Sequence, residues 1–137
     1  MAEPFIYPFM RYEKCREAID WLCEAFGFEQ MMVVPGEGDD IAHAVLRLGS
    51  GIIMLGTGNS PKTRGRDHTE KAEQGLYVYV PDVDAHYERS QSEGARIVME
   101  INDAFYGFRR YEALDPEGNR WHFAEPLTSV EQRRARS

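Results

Sequence analysis

Apolar and polar positions alternate most clearly at residues 106–126, near the C-terminal end of the chain. The pattern predicts two strands joined by a tight turn with the sequence Asp-Pro-Glu-Gly-Asn (115–119), in which the proline presets φ and the glycine accepts a positive φ. In the strand after the turn, Trp121 and Phe123 lie on one face and His122 lies on the other. We therefore expect one face in the hydrophobic core and one face that carries a single histidine.

The N-terminal part of the chain shows a similar sequence of patterns. The predicted elements are a strand at 4–12, a helix at 13–26, and strands at 28–34, 41–48 and 51–55. Gly27 stands where a left-handed C-terminal helix cap belongs. The strand at 41–48 has an apolar row, Ala42, Ala44, Leu46 and Leu48, on one face. The strand at 51–55 is apolar on both faces, so we expect both of its faces to be covered.

The same order of elements then begins again. The predicted elements are a strand at 75–80, a helix at 82–93, and strands at 95–99, 108–114 and 119–124. Asp82 is a suitable N-cap, and Gly94 ends the helix. A strand, a helix and three strands thus occur twice, which indicates an internal duplication. The polar segment 58–73 lacks periodicity and is expected to be a mobile surface linker with the role of a lid. The charged segment 128–137 is expected to be frayed.

Composition places the chain among single-domain globular proteins. It has 137 residues, of which 42% are hydrophobic, and a net charge of −7 argues against nucleic acid or an anionic membrane as a partner. The acidity would suit a cationic or neutral small molecule, although acidity most often serves solubility.

Cys15 and Cys23 share a helix and lie about 12 Å apart, too far for a disulfide. With neither a signal peptide nor a membrane-spanning run in the sequence, we expect a cytoplasmic protein.

The doubled βαβββ order and the turn followed by an aromatic strand resemble the vicinal-oxygen-chelate superfamily, which contains glyoxalase I, extradiol dioxygenases and bleomycin-resistance proteins. The resemblance is carried by YPFMRYEKCREAIDWLCEAFGFE, AHAVLRLGSGIIMLG, GLYVYVPDVDAHYERSQSEGARIV and YGFRRYEALDPEGNRWHF, and it is greatest to glyoxalase-like proteins of unassigned function. It implies an α+β fold in which repeat one (about 4–56), a linker (57–73) and repeat two (about 74–125) precede a charged tail (126–137). Each repeat would form a half-barrel, both would line a shared cleft, and a homodimer would form.

The resemblance also locates the usual metal site. Enzymes of the superfamily bind a divalent metal with side chains from the first and last strands of each repeat, at positions that carry over to Tyr7, Met54, Gly75 and His122. Methionine and glycine do not supply the nitrogen or oxygen donors that iron, zinc, nickel or manganese requires, so we expect no metal and no other cofactor. A displaced site at His43, Glu112 and His122 stays open, but Arg110 lies on the same face as Glu112 and predicts a salt bridge instead.

The mixed faces of the predicted strands supply candidates for ligand binding. These are Tyr7, Phe9, His43, Met54, Tyr77, Tyr79, Arg110 and His122. Tyrosine rings with polar partners suit a planar or amphipathic ligand, and acidic groups beside aromatic walls would favour a cation or a stacked heterocycle. The alternative is that the aromatic residues form core and that His43 and His122 each hydrogen-bond a neighbouring tyrosine or carboxylate.

Other polar residues are assigned lesser roles. Tyr106 and Arg109 lie with Arg110 at the mouth of the last hairpin and are expected to orient a ligand. His68 and His86 are expected to be solvated.

The sequence is compatible with three functions. The leading hypothesis is a metal-independent binding protein for a small aromatic or amphipathic compound, with a drug- or toxin-sequestering resistance role. The second is a lyase, isomerase or dioxygenase that uses a displaced metal or acid/base chemistry by His122, its candidate catalytic residue. The third is a structural dimer module with a collapsed cleft.

Overall fold

The structure is a computed structural model that describes residues 7–59 and 75–136. The chain divides into two compact units, with the boundary between Arg66 and Asp67. The predicted linker and its lid role lie almost wholly outside the described residues, as does His68. None of the helices in the described ranges combines the length and the hydropathy needed to cross a bilayer.

The first unit is a four-stranded sheet covered by one helix. Its elements are β1 (Phe9–Tyr12), α1 (Cys15–Trp21), a π-helical continuation (Leu22–Phe26), β2 (Glu29–Pro35), β3 (Ile41–Leu48) and β4 (Gly51–Thr57). The strand order is β1-β4-β3-β2, with β1 parallel to β4 and the other pairs antiparallel.

The second unit repeats this arrangement and adds a helix. Its elements are β5 (Gly75–Tyr79), α2 (Val83–Ser92), β6 (Arg96–Asp103), β7 (Phe108–Leu114), β8 (Arg120–Pro126) and α3 (Leu127–Arg136). The strand order β5-β8-β7-β6 matches the order in the first unit, again with the first strand parallel to the last. The predicted duplication into two half-barrel-like α+β modules is confirmed.

Glycine ends both predicted helices as expected. Gly27 has φ 87° and caps the π-helical segment, where its N–H donates to the carbonyl oxygen of Leu22. Gly94 also has φ 87° and follows α2, whose N-cap Asp82 accepts a 3.0 Å hydrogen bond from the N–H of Ala85. A left-handed conformation is strained for residues with a Cβ, so these positions are encoded locally.

The core of the first unit lies between its helix and one face of the sheet. Buried residues of the helical segment, among them Leu22 and Phe26, share this core with the buried Leu46 and Leu55. Two expectations need correction. In β3 the buried Ile41 takes the place expected for Ala42, which is exposed, because the register shifts by one residue near Pro35. The strand β4 buries Ile53 and Leu55 on one face, and its opposite side chains, Ile52 and Met54, are only half-buried.

The predicted turn at 115–119 is confirmed, and it is tied to the core of the second unit. One carboxylate oxygen of Asp115 accepts from the backbone N–H groups of Glu117 at 3.0 Å and Asn119 at 3.1 Å. The other oxygen accepts from Nε1 of Trp121 at 3.1 Å, and Trp121 is fully buried as predicted. Gly118 adopts φ 88°. The turn therefore satisfies the polar atom of the largest core side chain.

The expectation of a frayed C-terminal tail is wrong. Residues 127–136 form α3, which packs against β7 and β8 and buries Val130. The guanidinium group of Arg133 lies 2.9 Å from the fully buried carboxylate of Glu125 and 2.9 Å from Asp84. Contacts with residues distant in sequence therefore order a segment whose own composition is charged.

Two other side chains also lie on the helix-covered face, contrary to prediction. His86 is not solvated: its ring centroid lies 4.2 Å from that of Phe123, and its Nδ1 is hydrogen-bonded to the hydroxyl of the buried Tyr111. Arg109 does not face a ligand. It forms 2.9 Å ion pairs with Asp84 and Asp103.

Candidate functional site

The sheet face of the second unit that lies opposite α2 and α3 carries four of the predicted site residues; we call it the open face. Strand register places Tyr77 beside His122 and His122 beside Glu112. The same alternation places Trp121 and Phe123 under the helices, where both are fully buried. Tyr77 is 49% exposed and Tyr79 is 66% exposed, so this face presents aromatic rings to its surroundings.

Four aromatic residues form a connected set on the open face. Tyr77, Tyr79, Phe108 and Tyr106 make up this set, which we call the aromatic row. Tyr77 and Tyr79 meet edge to face with centroids 5.8 Å apart, and Tyr79 stacks on Phe108 at 5.5 Å with 12° between the planes. The ring of Tyr106 lies 5.8 Å from that of Phe108. The row therefore spans β5 and the start of β7 as one apolar surface.

Polar groups at the edge of the row form a hydrogen-bonded chain. Nη1 of Arg110 donates to the hydroxyl of Tyr106 at 2.9 Å, and the guanidinium carbon lies 5.4 Å from the centroid of the Tyr106 ring. The hydroxyls of Tyr106 and Tyr77 are hydrogen-bonded to each other. Burial and this bond raise the pKa of Tyr77 to about 12, although Arg110 opposes the shift. The phenol of Tyr77 therefore stays protonated at neutral pH.

A charged group lies at the other end of the open face. Oε1 of Glu112 is 2.8 Å from Nη1 of Arg120 and 3.5 Å from Nδ1 of His122. The imidazole of His122 also stacks on Tyr77, with centroids 5.8 Å apart and 18° between the planes. The predicted pairing of Glu112 with Arg110 is wrong, because Arg120 takes the carboxylate and Arg110 turns towards Tyr106.

The other predicted residues belong to the first unit. Phe9 is the register partner of Met54, and its ring lies 6.1 Å from that of His43. The guanidinium carbon of Arg11 sits 4.5 Å from the Phe9 centroid. Tyr7 precedes β1 and is half-buried. The predicted ligand set therefore has members in both units, and so does the displaced metal site, with His43 in the first unit and Glu112 and His122 in the second.

The four positions inferred for a metal carry few suitable donor atoms. A Cβ placed on Gly75 would lie 3.3 Å from Nε2 of His122, so these two positions are neighbours on the sheet, as the family pattern requires. The donors at the four positions are one imidazole, one phenol, one thioether and a glycine without a side chain. This set does not fit a divalent ion that prefers nitrogen and oxygen ligands. Across residues 7–59 and 75–136, no group of three or more His, Cys, Asp or Glu side chains could hold a metal ion.

Comparison with known proteins places this geometry in a family. Residues 7–123 match the sequence model of the Glyoxalase/Bleomycin resistance protein/Dioxygenase superfamily. The chain belongs to this superfamily. Among solved structures of the fold, TioX from Micromonospora sp. ML1 is 32% identical, with a TM-score of 0.70 over 89% of this chain and 95% of that chain.

A sequence relative and a second solved structure are also similar to this superfamily member. An uncharacterized protein of Mycobacterium bovis is 29% identical over 133 residues, which cover 94% of this chain and 88% of the relative. The fosfomycin resistance protein FosX from Listeria monocytogenes, solved with Mn(II) and sulfate, has a TM-score of 0.69 over 98% of this chain and 99% of that chain. At 13% identity, the likeness to FosX shows the shared fold alone.

Sequence reasoning missed part of the open face. Phe108 was assigned to a strand but not to the site, although it has the same parity in β7 as Arg110 and Glu112 and alternation could have found it. The partnership of Arg120 with Glu112 had no such signal, because alternation gives the face of a side chain but not which of two nearby cations it binds.

Proposed function

We propose that this superfamily member binds a small aromatic or amphipathic compound without a metal ion, and that it does so on the open face of the second unit. The exposure of the aromatic row is the observation that supports the proposal. Tyr77, Tyr79 and Tyr106 are each at least 45% exposed while their rings form a connected set with Phe108. Contiguous exposed apolar surface with a polar rim is typical of ligand and partner sites.

The geometry of the row favours a planar ligand. Aromatic pairs in offset stacked or edge-to-face contact gain about 0.5–1.5 kcal/mol beyond the burial of their area. Tyr79 and Phe108 already lie nearly parallel, and their neighbours supply edges and hydroxyl groups. A flat ring placed on this surface would bury apolar area and leave polar substituents near Arg110 and Tyr106.

Metal independence is supported by the donor set at the inferred metal positions. Only His122 among them offers a strong nitrogen ligand, and its neighbour Glu112 is engaged with Arg120. The test is elemental analysis of protein purified without an affinity tag, beside His122→Ala. Near-zero metal in both is expected. A stoichiometric metal that is lost in the variant would overturn this part of the proposal.

The biological role that fits such a site is sequestration of a toxic compound, as the resistance branch of the superfamily suggests. We propose that the protein acts as a homodimer, the usual state of superfamily members, in a cytoplasmic setting. Light scattering tests the assembly, since a mass close to one chain would contradict the dimer. Growth of cells exposed to a bound compound, with and without the protein, tests the role.

Binding itself is tested on Tyr79, the most exposed ring of the row. Naphthalene-based compounds are titrated by calorimetry against the wild type, Tyr79→Ala and the matched control Tyr79→Phe. Loss of the stacking ring is expected to weaken binding about tenfold, while the phenylalanine variant stays within about twofold. Equal affinity of the alanine variant and the wild type would remove the aromatic row from the binding site.

One observation favours a second candidate, metal-independent acid/base catalysis by a lyase or isomerase. A carboxylate 3.5 Å from Nδ1 of His122 resembles the arrangement that orients a catalytic histidine. The two candidates differ in the fate of the ligand. Mass spectrometry after prolonged incubation is expected to recover the bound compound unchanged. A product formed by the wild type and not by His122→Ala would favour the enzyme.

A further inference from the structure

The hydrogen-bonded chain at the edge of the aromatic row, Arg110–Tyr106–Tyr77, has one hydroxyl proton that its own hydrogen bonds do not use. A tyrosine hydroxyl has one proton and two acceptor lone pairs. Arg110 donates to Tyr106, and the bond between Tyr106 and Tyr77 consumes one of the two hydroxyl protons. Whichever tyrosine donates in that bond, the other retains its O–H, for which the described residues show no acceptor. The chain therefore offers a hydrogen-bond donor to a ligand.

The charge of Arg110 gives this donor a preference for negative acceptors. Hydrogen bonds in a chain polarise one another, and a bond assisted by a full charge is about twice as strong as a neutral one. The phenol of Tyr77 is a donor at neutral pH, since the ordinary pKa of 10.0 already lies far above 7 and here the pKa is raised further, to about 12. An oxygen placed beside the two hydroxyls would accept a hydrogen bond from the chain and lie near the guanidinium group.

The acidic side chain on the same face does not offset this positive charge. Glu112 is 2.8 Å from Arg120, whereas Nε of Arg110 donates to the neutral side-chain oxygen of Asn102 at 3.5 Å. A cationic ligand on the row would therefore be repelled by Arg110, whose positive charge is not paired with Glu112. This reverses the preference for a cation that the acidic composition suggested.

Building on the proposed binding function, we propose that the ligand is an aromatic compound with an acceptor oxygen, preferably an anionic one such as a carboxylate. Its ring stacks on Tyr79 and Phe108. Its oxygen accepts from the one remaining O–H of Tyr77 and Tyr106, beside Arg110. The class includes aromatic acids and ionised phenols. It excludes aromatic amines whose positive charge would lie beside these hydroxyls.

Three probes with one ring system separate these chemistries. Naphthoate is anionic, naphthamide is a neutral acceptor, and naphthylmethylammonium is cationic. Calorimetry on the wild type is expected to rank them in that order, with about tenfold between the anion and the neutral amide. In Arg110→Gln the advantage of naphthoate over the ammonium probe is expected to fall about tenfold. Arg134→Gln, which removes the same charge from α3, is expected to keep the ranking.

Tyr106→Phe tests the chain independently of the charge. It removes the hydroxyl that joins Arg110 to Tyr77 and is expected to weaken naphthoate more than the ammonium probe. Thermal melts of each variant check that the fold is intact.

The outcomes distinguish this inference from the function on which it rests. Equal affinities for the three probes, or tightest binding of the ammonium probe, would overturn the anionic preference and leave aromatic binding standing. An Arg110→Gln variant that weakens all probes equally would show that the residue only supports the surface. Failure of every probe to bind would overturn both proposals.

Discussion

Arg133 of α3 lies 2.9 Å from a carboxylate oxygen of Glu125, a residue whose side chain is fully buried. The same carboxylate accepts hydrogen bonds from the hydroxyl of Ser129 at 2.7 Å and from the N–H of Val83 at 3.1 Å. The pair therefore joins the C-terminal helix to the end of β8 and to the first turn of α2. It explains why a segment rich in arginine is folded.

Loss of Arg133 should be costly, because it leaves the charge of Glu125 buried without its counter-ion. Arg133→Ala is expected to lower the free energy of unfolding by about 3 kcal/mol. The control Arg134→Ala removes a neighbouring arginine whose side chain is 57% exposed, and a change within about 0.5 kcal/mol is expected. Urea unfolding followed by circular dichroism measures both. Equal stability of the two variants would show that α3 does not depend on the buried pair.

The same carboxylate makes stability depend on pH in the acid range. Burial alone would raise the pKa of Glu125, but the hydrogen bonds from Arg133, Ser129 and Val83 outweigh it and hold the pKa below the ordinary 4.5. On acidification the unfolded state therefore takes up this proton first. The stabilisation is present above the unfolded pKa and is lost as pH falls through the folded pKa.

The contribution of Glu125 is isolated by comparing variants between about pH 5.5 and pH 3.5. The free energy of unfolding of the wild type is expected to fall more steeply over this range than that of Glu125→Gln. Glu131→Gln, at an exposed position of α3, is expected to follow the wild type. Parallel curves for all three proteins would contradict the assignment.

Asp115 should be essential to the turn that precedes β8. Asp115→Ala removes the acceptor of two backbone N–H groups and of Nε1 of the buried Trp121. Because unsatisfied buried donors each cost about 1–3 kcal/mol, a loss of about 2–4 kcal/mol is expected. Chemical unfolding measures the loss, and the exposed Asp39→Ala serves as the control. An alanine variant as stable as the wild type would mean that water replaces the carboxylate.

Tyr77 is expected to titrate with a pKa of about 12, against an ordinary value of 10.0. Burial is the main cause and the hydrogen bond with Tyr106 is the next. Tyr106→Phe should therefore move the pKa of Tyr77 towards 10.0, whereas Tyr79→Phe, which keeps that bond, should move it much less. Carbon-13 NMR of labelled tyrosine rings resolves the titrations. A wild-type Tyr77 that already titrates near 10.0 would refute the hydroxyl chain.

Several features of the fold were available from the sequence because they are local. Gly27 and Gly94 adopt the left-handed conformation that ends a helix, and the turn after Asp115 follows from its residue types. Strand alternation put Trp121 in the core and Tyr77 on the opposite face. The repetition of these local signals was enough to predict two equal modules.

Tertiary structure alone decided which side chains on a face become partners. Alternation puts Arg110 and Arg120 on the same face as Glu112, but Arg110 donates to Tyr106 and Asn102, and Arg120 alone of the two binds the carboxylate. Likewise, nothing within residues 127–136 indicates that α3 docks on Asp84 and Glu125, residues that come before it in the chain. Secondary structure and burial are encoded by short-range periodicity, whereas the choice of partner depends on distances between segments that only the folded chain brings together.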